Sequence, residues 1–137
     1  MNDTHPTSVA KALRTGWILL ATSLPLGLTL EALHAFKVRG FLESAVRREM
    51  WRLAHAHGTL LALLLIGFAA VAERHLASER HAAISRDLRL GAILMPLGFF
   101  LGGVLNGEGD PSLGVLLVPV GALCLVVALV RAALATR

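Results

Sequence analysis

The chain has 137 residues, 55% hydrophobic and only 16% charged, with a net charge of +4 at pH 7 and a mean hydropathy of +0.69. That composition excludes an ordinary soluble globule. One cysteine excludes an intrachain disulfide, and the lack of CxxC, CxxCH, a Gly-rich phosphate loop or GxSxG excludes zinc-ribbon, c-type haem, P-loop and α/β-hydrolase readings.

The first predicted element is an apolar run over residues 15–36, preceded by Lys11 and Arg14 and uncharged until Glu31. It is too long for the apolar region of a signal peptide and no A-x-A site follows, so it reads as a retained helix. Residues 37–52 predict an interfacial helix resting on Phe41, Leu42, Ala45 and Val46, with Glu49 on the same face. The second span, 53–72, opens unusually for a leucine-rich helix, with His55, Ala56, His57 and Gly58. The third, 88–105, is rich in glycine; the fourth, 113–130, carries no charge. Between them "NGEGDPS", Asn106 to Ser112, predicts a tight hairpin in which Asp110 caps a helix starting at Pro111. Pro25, Pro96 and Pro119 predict kinks in three of the spans. Runs near 20 apolar residues are what a bilayer requires. The chain therefore reads as one domain over 1–137: all-α, an integral membrane four-helix bundle with the lipid bilayer as its surroundings.

Basic residues fall between the apolar runs, so a pI near 10.6 reflects membrane orientation and contact with anionic headgroups, not nucleic-acid binding. Two Lys or Arg precede the first span, four lie in the Glu73–Arg89 loop and two at the C-terminus, against five in the first loop and none in the hairpin. The positive-inside rule then places both termini and the Glu73–Arg89 loop in the cytoplasm of a bacterial inner-membrane protein.

Residues three, four and seven apart share a helix face. In span one Gly16, Leu20, Ser23, Gly27, Glu31 and His34 form one stripe. In span two Ala54, Gly58, Ala62, Ala69 and Ala72 form a small-residue face bordered by His55, with His57 on the other side toward headgroups or a partner. Gly91, Gly98 and Gly102 align in span three, with Asn106 near their line; Gly114, Gly121, Ala128 and Ala132 align in span four. Small faces let membrane helices approach closely, so Gly27, Gly58, Gly98, Gly102, Gly114 and Gly121 predict the packing seams.

With four spans, the end of span one, the start of span two and the hairpin share one side of the membrane. Glu31, His34, His55 and Asn106 are the candidate polar site there, with Glu31 and the two histidines facing inward. Buried, Glu31 needs a proton, a cation or a histidine partner. Glu31, His34 and His55 could hold a transition metal or haem iron, or form a proton relay. Glu108 and Asp110 read as turn and cap residues, His5, His75 and His81 as solvated, and Cys124 as packing. The alternative is a non-enzymatic accessory or structural subunit, its small-residue faces packing helices, with a second copy or another membrane protein as partner.

At "LAHAHGTLLALLLIGF" the chain resembles small bacterial four-span membrane proteins with a His–Gly head on the second helix. It is similar to hydroxylaminobenzene mutase, a compact four-span isomerase, in its layout and at Ala54, His55 and Gly58. Residues 56–62 read AHGTLLA where that family's pattern carries Glu and Asn-Gly. The resemblance implies a small membrane isomerase. His34 equally resembles the histidine that ends the first helix in other small four-span proteins.

Overall fold

A computed structural model describes residues 7–104, 106 and 109–136. Four long helices dominate: α1 (Ser8–Ala35), α3 (Ala45–His75), α4 (His81–Val104) and α5 (Leu117–Ala135), with a four-residue α2 (Arg39–Leu42) between the first two. Each long helix, with its flanking 3₁₀ turn where it has one, is long and apolar enough to cross a membrane. The fold is an all-α membrane-type bundle, and no β-sheet occurs among the described residues.

The helices outrun the apolar runs. α3 has 31 residues, about 46 Å at 1.5 Å per residue, whereas the hydrocarbon core of a bilayer is about 30 Å. Its start is set by Ser44, whose hydroxyl accepts the Arg47 N–H at 3.1 Å. The separate interfacial helix expected over 37–52 is therefore replaced by α2 and the first turns of α3. α4 likewise begins at His81, seven residues before the hydropathy rises at Leu88. Helical hydrogen bonding continues through charged residues wherever the backbone stays regular, so hydropathy marks the lipid-facing part of a helix and not its ends.

The turn after α1 has defined chemistry. Val38 N–H donates to Leu33 C=O at 3.0 Å and Lys37 N–H to His34 C=O at 3.1 Å. This is a Schellman motif, and Lys37 occupies its left-handed position with φ of 50°. At the other connection His81 is not solvated as expected. Its Nε2–H is shared by the Ala72 and Leu76 carbonyls at 3.0 and 3.2 Å, closing the C-terminus of α3.

The hairpin also departs from expectation. Asp110 is exposed and Pro111 is not helical; a 3₁₀ turn over Leu113–Leu116 leads into α5. Ser112 ties this turn back to α4, its N–H donating to Gly102 C=O at 2.9 Å and its hydroxyl to Leu101 C=O at 2.7 Å. Pro119 lies in the first turn of α5, where a missing N–H costs little, so among the described residues only Pro25 and Pro96 sit in a helix interior.

α1 packs along α3, α3 along α4, and α5 along α4, with a smaller α1–α4 contact. Glycines set the approach. On the α4–α5 seam a Cβ on Gly98 would lie 2.9 Å from the Val118 nitrogen, and one on Gly121 would lie 2.7 Å from the Met95 nitrogen. A Cβ on Gly114 would lie 2.4 Å from Leu101 Cβ, whereas one on Gly102 would meet nothing closer than 3.4 Å. The buried apolar core, including Leu65, Ile84, Leu88 and Ala128, gathers toward the end of the bundle that carries the α3–α4 connection. The opposite end is less filled, and the cleft lies there.

Candidate functional site

The α1–α3 seam forms the floor of the cleft. Ser23 on α1 presses its hydroxyl into the space a Cβ on Gly58 would occupy, and the His55 ring on α3 lies where a Cβ on Gly27 would be, 2.4 Å from Cε1. Small residues on each helix thus receive polar side chains from the other. His55 Nδ1 sits 2.9 Å from the Ser23 carbonyl oxygen. A carbonyl only accepts, so Nδ1 carries the proton, and in the neutral ring the lone pair lies on Nε2. Thr59, one turn further along the face bearing His55, holds a buried hydroxyl without a partner among the described residues.

His55 lines an open cleft of about 880 Å³. Glu31 and His34 line the same cleft, as do Leu24, Leu28, Arg48, Glu49 and Arg52. Three of the four candidate site residues therefore share one space. They do not touch as expected. Glu31 and His34 are exposed rather than turned into the bundle, and neither side chain makes a hydrogen bond or ion pair among the described residues. The carboxylate reaches solvent at the helix end, so it needs no buried partner. Nor do the three form a ligand set: among the described residues no group of three His, Cys, Asp or Glu is placed to hold a metal ion. On the rim, Arg48 donates to the Leu42 carbonyl, and Arg52 pairs with Glu49 at 3.7 Å on the exposed surface.

Asn106 lies elsewhere. It accepts from Arg47 Nη2 at 3.3 Å and donates to Ser44 Oγ at 3.1 Å. Arg47 Nε also donates to Gly103 C=O at 3.0 Å, so Asn106 belongs to a clamp joining the start of α3 to the end of α4. Topology put it at the correct end of the bundle but said nothing of which side. Glu108 lies outside the described residues.

His57 does not line the cleft. Its Nδ1–H bonds the Leu53 carbonyl at 2.9 Å, and its ring lies 4.9 Å from that of Phe99 on α4. Half-buried, it rests against α4. Nearby, Trp51 stacks between Phe41 and Phe100 at 6.1 and 5.7 Å and donates its indole N–H to Phe100 C=O at 3.1 Å. A Cβ on Gly103 would lie 2.7 Å from this indole.

A second polar group at the other end of the bundle was not foreseen. Asp87, 6% exposed, pairs with Arg131 of α5 and with its neighbour Arg86 at 2.8 Å. Ser85 donates to Ser8 C=O at 2.6 Å and Arg89 to Thr15 Oγ1 at 3.1 Å. These bonds tie α1, α4 and α5 together. A charge of each sign in apposed helix ends was the available signal.

Comparison of the chain with protein-family models, curated proteins and solved structures gives no match.

Proposed function

We propose that the chain is a small membrane protein with a proton-transfer site in the interfacial cleft. His55 is the acceptor, and Glu31 and His34 exchange protons with water at the mouth. One observation carries this reading: His55 lines the cleft while its Nδ1–H is held by the Ser23 carbonyl. An imidazole oriented in this way presents Nε2 as a base, the role histidine most often plays in general acid–base chemistry. The resemblance to hydroxylaminobenzene mutase rests on Ala54, His55 and Gly58, and an isomerase acting on a small aromatic molecule is the enzymatic form of the same reading.

A second reading has support from the same bond. Metal-ligating histidines are typically oriented by a hydrogen bond from the other ring nitrogen, so His55 would be the residue to hold a haem iron. An absorption band in the visible range from the purified protein, lost in His55→Ala, is the mark of that reading.

We place the protein in a bacterial inner membrane with both termini and the Glu73–Arg89 loop in the cytoplasm, on the distribution of Lys and Arg. Its helices then meet lipid over most of their outer surface. The accessory-subunit alternative adds a second copy or another membrane protein on that surface.

Carbethoxylation with diethyl pyrocarbonate, followed by peptide mapping, tests the site. The reagent attacks an unprotonated imidazole nitrogen. In vesicles at neutral pH, His55 is expected to react, and conversion of added hydroxylaminobenzene, where it occurs, to fall with that modification. A His55 that stays unmodified while the exposed His34 reacts fully overturns the reading.

A further inference from the structure

The cleft has an unusual wall. Leu24 and Leu28 line it, yet they are 55% and 74% exposed on the outer face of α1, the face that meets hydrocarbon in a spanning helix. Its other rim is charged, with Glu31, Arg48, Glu49 and Arg52. The cleft is thus open toward lipid on one flank and toward water at the mouth. Its volume, about 880 Å³, falls within the range of small-molecule sites.

The polar group at its floor has a fixed preference. With Nδ1–H engaged by the Ser23 carbonyl, neutral His55 has only an acceptor left to offer, at Nε2. A molecule that only accepts hydrogen bonds gains nothing there. One that donates through O–H or N–H pairs with that lone pair, and leaving the nitrogen unmatched beneath an apolar ligand that displaces its water is costly.

Resting on the proton-transfer reading, we propose that the cleft takes its ligand sideways from the bilayer, and that the ligand is a lipophilic molecule bearing one hydroxyl donor, of the phenol or hydroquinone class. The apolar body lies along Leu24 and Leu28, and the hydroxyl donates to His55 Nε2. This orients the donor at the base that would accept its proton.

The test compares two probes of nearly equal shape, 4-hexylphenol and 4-hexylanisole, in nanodiscs containing the protein with labelled histidine. The ether keeps the ring and the chain and lacks the donor. The phenol is expected to move the His55 ring resonances saturably, at about tenfold lower concentration than the ether, the difference expected for one hydrogen bond of about 1.4 kcal/mol. His57 resonances, shielded by Phe99, stay in place. Leu28→Trp, a substitution at an exposed position, narrows the lipid-side opening and is expected to weaken the phenol's effect without changing thermal stability. Equal effects of phenol and ether overturn the donor assignment, and an unchanged phenol response in Leu28→Trp overturns the lateral route. No response to either probe, with His55 still reactive to carbethoxylation, overturns the inference and leaves the proton-transfer reading standing. An unreactive His55 overturns both.

Discussion

Gly27 is the residue on which the His55 ring rests, and its lack of a side chain is what lets imidazole reach the Ser23 carbonyl. Gly27→Ala puts a methyl group inside contact distance of three ring atoms. The ring must swing away and the hydrogen bond must lengthen or break. A loss of about 1–2 kcal/mol is expected in thermal unfolding in detergent, together with a changed His55 signal. Asp87 presents the opposite case, a buried carboxylate held by charge. Asp87→Ala leaves Arg131 facing a site without its counter-ion. Because Arg131 is partly exposed, the expected cost is about 1–3 kcal/mol, below that of a fully buried pair. At this scale the sequence was legible where periodicity carries the information: Glu31, His34 and Gly27 fall on one stripe and line one cleft. It was not legible where the partner is a backbone carbonyl, since any residue could have supplied the oxygen that fixes His55. Asp87 was hidden for another reason. It sits just before the hydropathy rise at Leu88, so it read as part of a charged loop.

The connections between helices are where element-scale energetics can be tested. Lys37 holds a left-handed conformation that glycine adopts freely and an L side chain does not. Lys37→Gly is expected to raise stability by about 1 kcal/mol, read as a higher unfolding midpoint; a fall would mean that the lysine side chain contributes more than the backbone strain costs. Along the α4–α5 seam the glycines are not equivalent. Gly121→Ala drives a methyl group into the Met95 backbone, which cannot move aside cheaply, whereas Gly102→Ala makes ordinary contacts. The first should destabilise by about 1–3 kcal/mol and the second by much less. Spacing alone puts both on one stripe but does not tell how close the facing helix comes. The helix ends were equally opaque, because α3 and α4 run on through charged turns that lie outside the hydrocarbon.

Taken as a whole, the bundle is asymmetric along its axis. One end holds the apolar core, closed by His81 and the Asp87–Arg131 pair; the other holds the cleft and the Trp51 stack. This division suits a protein that keeps a fold at one membrane surface and, as proposed, a proton acceptor at the other. Reporter fusions after residue 137 and within the 106–112 hairpin are expected to report the cytoplasm for the first and the outside for the second. Opposite sides are required by four spans, so a shared side would contradict the architecture itself, while a reversed pair would only turn it over. The central claim is narrower: His55 is held through Nδ1–H so that Nε2 is free to act as a base. Nitrogen-15 NMR of histidine-labelled protein in nanodiscs above neutral pH measures this directly. A neutral His55 with a protonated, pyrrole-type Nδ1 and an unprotonated, pyridine-type Nε2 is expected; the reverse tautomer, with the proton on Nε2, would contradict the assignment of Nε2 as the base.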